Sequence, residues 1–258
     1  MAKEKALVSA ELLELMELVR DADSVELKLT IPESEQRSTI AALEIDPLDS
    51  QIRQVFFFDT PDLALNKAGV VVRARRVQGK SDDSVVKLRP VVPNEMPAEL
   101  RASPGFGVEV DAMPGGYVCS ASLKSKPTPQ PVWAAVHEGV PIRKVFTKEQ
   151  RAFYKQHAPD GVELDALRTL GPIFVLKMVL NRPDFARVRF VAELWLYPDG
   201  SRILELSTKC APNELAGTAL DARAFVRGRG IKTGGDQQTK TKTALEFFAA
   251  ELVEPAAT

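Results

Sequence analysis

Cysteine and histidine are scarce in this chain. Its 258 residues include two of each, Cys119 and Cys210, His137 and His157. Two cysteines form no disulfide framework and suit a reducing compartment. Two well-separated histidines are a poor basis for a Cys/His zinc site. An excess of charge of either sign is also absent: 34 lysines and arginines face 35 aspartates and glutamates, for a net charge of -1. A globally basic binder of nucleic acid or of an anionic membrane is therefore not expected, and any anion site has to be a local cluster. No apolar run approaches the ~20 residues that span a bilayer. The first residues carry charges but no apolar segment of a signal peptide. The expected location is the cytoplasm, with no membrane or nucleic-acid partner and with protein partners left open. Internal repeats are missing as well.

What is present is an ordinary globular balance, 45% hydrophobic and 27% charged, which suits a single domain over residues 1–258. Residues 6–20 read as an amphipathic helix with Val8, Leu12, Met16 and Val19 on one side. Strand patterns follow at "SVELKLTI" (24–31), "QVFFFDTPD" (54–62), "GVVVRARRV" and "DSVVKLRPVV" (69–77 and 83–92), and "FGVEVDAM" (106–113). Residues 114–141 are rich in Pro, Gly, Ser and Lys and read as a long loop; within them 122–131 reads as a solvated linker carrying Lys124, and 113–172 as a possible insertion. Thr147 and Gln150 have capping-box spacing ahead of a short helix that stops before Pro159. "IFVLKMVL", "ARVRFVAELWLY" and "RILELSTK" are further strands, the last two joined across a Pro-Asp-Gly turn. Two helices close the chain over 213–252. Between them, "RGRGIKTGG" (227–235) reads as a basic loop and not a P-loop, because Ile231 stands where the second glycine belongs. Strands in the middle with helices appended favour an α+β fold.

The strands share one pattern. Side chains alternate between the two faces of a strand, so Glu26 and Lys28 share a face while Val25, Leu27 and Leu29 take the other. Arg73 and Arg75 pair in the same way, as do Lys87 and Arg89, and Glu109 and Asp111. Arg187, Arg189 and Glu193 share a parity, and so do Glu205, Ser207 and Lys209; Lys177 stands alone on its strand. The opposite faces are apolar, from Val72 and Ala74 through Val86, Leu88, Val108 and Val110 to Leu204 and Leu206. Two architectures accommodate this. One is an antiparallel sheet with a solvated charged face. The other is a mainly antiparallel barrel of about eight strands, with helices packed outside and the charges lining a tunnel. Crowded like charges in a tunnel repel and lose solvation, so a polyanion must meet the bases and a cation the acids. A triphosphate with Mg²⁺ or Mn²⁺ satisfies both: arginine suits bidentate phosphate contact and carboxylates suit a hard divalent ion.

The motifs resemble those of the CYTH or triphosphate tunnel metalloenzyme superfamily, which includes class IV adenylyl cyclases, thiamine triphosphatases and inorganic triphosphatases. Its Glu-x-Glu-x-Lys signature is matched at Glu26 and Lys28, with Ser24 in place of the first acid. "FFDTPDLALNKAGVVVRAR" (57–75) resembles the family's aromatic-Phe-Asp-Thr-Pro-Asp run into an Arg-bearing strand; "VVKLRP", "GVEVD" and "YPDGSRILELSTK" resemble the strands that follow, with Ser207 in place of a second acid. The resemblance covers roughly residues 25–209.

The resemblance implies a tunnel open at both ends. It implies metal ligands at Glu26, Glu109, Asp111 and Glu205, and phosphate contacts from Lys28, Arg73, Arg75, Lys87, Arg89, Arg187 and Arg189. Lys240 or Lys242 would serve as the usual C-terminal lysine, with Lys242 taken here. Glu26 and Lys28 become the catalytic pair, and Glu193 either joins the metal or pairs with a tunnel arginine. The implied activity is metal-dependent hydrolysis of a triphosphate or polyphosphate. A non-catalytic polyphosphate- or nucleotide-binding module and an adenylyl cyclase stand as the other readings. Asp59 in "FFDTPD" reads as a turn cap.

Overall fold

A computed structural model describes residues 13–180, 189–233 and 240–253. Its strands are β1 (Ser24–Ile31), β2 (Gln51–Asp59), β3 (Val70–Val77), β4 (Asp83–Leu88), β5 (Phe106–Met113), β6 (Gly116–Ser125), β7 (Arg168–Leu180), β8 (Phe190–Leu196) and β9 (Arg202–Cys210). The helices are α1 (residues 13–20), α2 (Gln36–Ala42), α3 (Ala64–Lys67), α4 (Ala98–Arg101), α5 (Val132–His137), α6 (Lys148–His157), α7 (Leu215–Gly228) and α8 (Lys240–Val253). Residues 6–12 of the expected first helix, and 234–235 of the basic loop, lie outside the described residues.

The strands close into a barrel in the order β1-β5-β6-β4-β3-β2-β7-β8-β9, and β9 returns to β1. Every pairing is antiparallel except that of β1 with β5. The expected eight strands become nine because residues 116–125, which composition marks as loop, pair with β5 on one side and β4 on the other. Their Ser120, Ala121 and Ser122 are buried; small residues weaken the strand signal but fit a crowded barrel wall. Lys124 therefore belongs to a barrel strand and not to a linker.

The apolar strand faces turn outward and are covered by helices. Phe56, Phe58, Val72, Ala74 and Val86 pack with Val132 of α5 and Phe153 and Tyr154 of α6. Ile31, Leu204, Leu206 and Ala192 pack with Leu43 after α2 and Val226 of α7. Val25, Val108, Val110 and Ala121 lie under Val19 and Leu18 of α1. Each of the larger side chains contributes about 1.5–3 kcal/mol by leaving water, so much of the core of this domain is the shell between barrel and helices. The capping box of α6 is formed as expected, and its Gln150 also ties the helix to the wall: Nε2 donates to the carbonyls of Ser84 and Leu123 at 3.1 and 3.0 Å.

A fourth apolar cluster lies inside the barrel. Val55, Phe57, Val71, Val175, Trp195 and Ile203 share the parity of the charged residues on their strands, and Ala244, Leu245 and Phe248 of α8 pack among them. The tunnel expected to be open at both ends is thus covered by α8 at this one. No helix among the described residues is long and apolar enough to cross a membrane.

Candidate metal and phosphate site

The one parallel pairing builds the acidic part of the site. It sets Ser24 level with Glu109 and Glu26 level with Asp111, so the Glu-x-Lys of β1 and the Glu-x-Asp of β5 stand side by side on the inner face. One carboxylate oxygen each from Glu26, Glu109 and Asp111 lies within 4.8 Å of the others. Three lysines surround them. Lys28 Nζ is 3.2 Å from Glu26 Oε2 and 2.8 Å from Asp111 Oδ1. Lys87 Nζ is 3.4 Å from Asp111 Oδ2. Lys209, level with Glu26 on β9, pairs with Glu109, which also accepts from Ser24 Oγ at 3.4 Å.

These contacts set the proton affinities. Burial pulls the Lys28 ammonium down, but Asp111, Glu26 and Glu205 outweigh it and hold it above the ordinary lysine range. Burial and Asp111 push the Glu109 carboxyl up, and Lys209 more than reverses this. Burial likewise raises Asp111, and Lys28 and Lys87 bring it below the usual carboxylate range. For Lys87 burial wins and the ammonium is lowered despite Asp111.

The donor set fits a hard divalent ion. It offers three carboxylates and no sulfur or imidazole, the ligand type that Mg²⁺ and Mn²⁺ take. Buried Asp111 Oδ1 also has no aligned hydrogen-bond donor, although Lys28 lies at ion-pair distance.

The basic wall comes from β3 and its neighbours. Arg75 is held by a two-point contact with Asp83, at 2.7 and 2.9 Å. Arg73 makes no ion pair among the described residues, and its buried Nε has no hydrogen-bond partner. Burial, reinforced by Arg75, pulls its guanidinium down to about 10. Arg73, Arg75 and Lys124 line a cavity of about 770 Å³. Arg89 follows β4 and is half-buried; its N–H donates to Gly69 O at 2.9 Å. Gly69 has φ +75°, and a Cβ there would collide with the Arg89 carbonyl, so only glycine fits this crossing.

Other expected residues lie elsewhere. Glu205 is apart from the acidic trio: Lys240 Nζ sits 2.7 Å from Glu205 Oε1 and 2.7 Å from Glu193 Oε2. Glu193 also meets Arg53 at 3.6 Å, so it pairs with bases. Lys242 is exposed and lies 3.8 Å from Glu246 on the same helix; Lys240 is the lysine of α8 that enters the barrel. Arg189 is exposed just before β8, and Arg187 lies outside the described residues. Asp59 caps a turn, accepting from the N–H groups of Thr60, Leu65 and Asn66 at 2.7, 2.9 and 3.0 Å. Arg53, Lys124 and Lys209 were not singled out as site residues by sequence reasoning. Arg53 lies one residue before the pattern that marked its strand, and Lys124 sits in the disguised strand. Lys209 carried a usable signal in its shared parity with Glu205.

No family model matches the sequence, and no curated protein matches it significantly. Solved structures do. A Bacillus halodurans protein described as a candidate adenylate cyclase superposes with a TM-score of 0.55 at 12% identity, over 85% of this chain and 98% of that one. The chain has a CYTH-like fold. The Hippeastrum protein HpAC1, a candidate adenylyl cyclase with a dominant triphosphatase activity, matches with a TM-score of 0.56 at 14% identity, over 86% of this chain and 95% of that one. At such identities the likeness to either is one of fold.

Proposed function

We propose that this CYTH-like barrel is a divalent-metal-dependent hydrolase of a triphosphate, inorganic or organic. The observation that carries this reading is the trio Glu26, Glu109 and Asp111 contacted by Lys28 and Lys87, on the inner faces of a barrel whose β3 carries the buried Arg73. The trio would hold Mg²⁺ or Mn²⁺, which when bound polarises a phosphate and lowers the pKa of a water. Arg73 is a buried cation that makes no ion pair among the described residues, with Asp83 and Glu193 acting on it only at longer range, a costly state that phosphate oxygens relieve. Arg75 is oriented by Asp83 and presents its remaining N–H donors to the same cavity. Lys28, fixed between two acids, keeps its full charge next to the phosphate. With α8 covering one end, these charges stand on partly buried inner faces, where fixed donors stabilise a transition state more effectively than in bulk water. The triphosphatase activity named for HpAC1 agrees with this chemistry. The free, buried cysteines suit a reducing compartment such as the cytoplasm.

The pairing of all three acids with lysines, and the serines at 24 and 207, favour a second reading, a module that binds polyphosphate without cleaving it. The cyclase reading needs a purine pocket, and the interior Trp195 is instead covered by Lys240, 5.1 Å above its ring. Phosphate release from tripolyphosphate, ATP and thiamine triphosphate with Mg²⁺ or Mn²⁺ tests the proposal. Metal-dependent release supports it. Binding without release transfers the protein to the second reading, and absence of both rejects the two together.

A further inference from the structure

We propose that Lys209 is a resident cation of the acidic trio, which holds Glu109 against a divalent ion and so sets how tightly the barrel takes its metal. This rests on the metal-site reading of Glu26, Glu109 and Asp111.

The charges balance without any ion. Three carboxylates face three ammonium groups, those of Lys28, Lys87 and Lys209. A divalent ion added to this set leaves an uncompensated charge of two unless a lysine withdraws or an anion arrives. The three lysines differ in their freedom to withdraw. Lys28 is 17% exposed and bound to two acids, and Lys87 is 22% exposed. Lys209 is 52% exposed and pairs with one acid among the described residues. A long stem with its head at the water boundary exchanges a carboxylate for solvent at small cost, so Lys209 is the group a metal displaces.

Its position points the same way. Lys209 stands on β9, level with Glu26, yet its ammonium passes β1 to reach Glu109 on β5. The residue level with Glu109 on β1 is Ser24, a neutral hydroxyl, so no second acid competes there for the ammonium. Once displaced, Lys209 remains beside the interior, where a polyphosphate would take it up. Metal and phosphate should therefore bind more tightly together than separately, since each supplies the charge the other leaves unbalanced.

The test measures Mn²⁺ binding by the loss of the free-ion EPR signal, with no substrate present. Lys209→Met should tighten Mn²⁺ binding about fivefold, because the ion no longer has to displace an ammonium from Glu109. Lys209→Gln should act in the same direction and serves if the methionine variant misfolds. Lys155→Met, an exposed change on α6, should leave the affinity alone. In a Glu109→Gln background, Lys209→Met should change nothing, because the two residues act as one unit. If wild type binds Mn²⁺ and both Lys209 variants bind it equally, the role assigned to Lys209 is wrong while the metal site stands. An undiminished gain in the Glu109→Gln background also overturns it. If neither wild type nor any Lys209 variant binds Mn²⁺, the metal-site reading fails and takes this inference with it.

Discussion

Glu26, Glu109 and Asp111 are met by lysines from three different strands, one of them half-exposed, whereas Glu193 and Glu205 share a single lysine that α8 carries in and then covers. Both groups stand on inner strand faces, and both read alike in the sequence. Along β9 the inner residues run Lys209, Ser207, Glu205, Ile203, from the open acidic trio to the apolar mouth filled by α8. The difference teaches that inward parity alone does not define a site. Under the proposed function, an acid whose counter-ion is half-exposed, as Lys209 is for Glu109, would be open to a ligand, whereas acids that share a lysine buried under α8 would serve the architecture.

The sharpest break of that distinction is Lys240→Met. It strands Glu205 and leaves Glu193 with only Arg53 at ion-pair distance, since Lys240 is 13% exposed and Glu205 7%, and loss of one partner of a buried ion pair costs about 3–5 kcal/mol. The loss depends on pH. Burial raises the Glu205 carboxyl and Lys240 offsets only part of this; for Glu193, burial is outweighed by Lys240, Lys177 and Arg53, and the carboxyl is lowered. Without Lys240 both move up. A carboxyl whose folded-state pKa lies above the unfolded value binds its proton more tightly when folded, so it favours the folded state at low pH and loses that advantage as pH rises through the folded pKa. Urea unfolding should therefore show the full penalty near pH 8 and a smaller one near about pH 5.5. An equal penalty at both would show that the stranded acids are not its source.

Next in size is Glu26→Gln in the open group. Size and hydrogen bonding persist while the charge that a hard cation needs is lost. Metal-dependent triphosphate hydrolysis should fall about 100-fold or more, some 2.7 kcal/mol of barrier, and tripolyphosphate affinity measured by calorimetry without metal should change little. Full activity in this variant would remove Glu26 from the metal site and leave its inward position with only a structural meaning.

Much of this was legible in the sequence, for physical reasons that also explain the rest. Alternation exposes the inner face of β1, β3, β4 and β5 directly, because their outer residues are mostly valines and leucines. It fails for β6, where Cys119 and Ala121 stand on the outer face, serines on the inner one, and neighbouring glycine and proline suggest a loop. It fails for Arg53 because strand ends are not marked by pattern. The choice between Lys240 and Lys242 depends on the phase of α8 relative to a mouth that exists only in three dimensions. The separation of Glu205 from Glu26 has the same origin: parity puts both inside, but only the register, Thr30 level with Glu205 and Glu26 level with Lys209, tells how far apart along the barrel they stand.

A smaller effect is expected along the basic wall. Arg73→Ala should weaken tripolyphosphate binding about tenfold, the worth of one charge-assisted contact, and shrink the thermal stabilisation that the ligand confers. Lys124→Ala should reduce it less, since its ammonium stands at the rim, and Lys155→Ala not at all. Equal effects from all three would mean general surface electrostatics and no defined site.

The smallest expected effect is that of Ser24→Glu, and it returns to the comparison. Ser24 is level with Glu109 and hydrogen-bonds to it, so a carboxylate here joins the open group and raises its negative charge, which in oxygen-ligand sites tightens metal binding. Part of that charge is spent on Lys209, which lies within reach of both positions, so Mn²⁺ should bind only about threefold more tightly in the single variant. Combined with Lys209→Met, the new acid has no resident cation to satisfy and the gain should exceed the product of the two separate gains. Mn²⁺ titrations of the four proteins read this directly. A strictly multiplicative result would show that Ser24 and Lys209 act independently, and that the open group is tuned by total charge instead of by which lysine can leave.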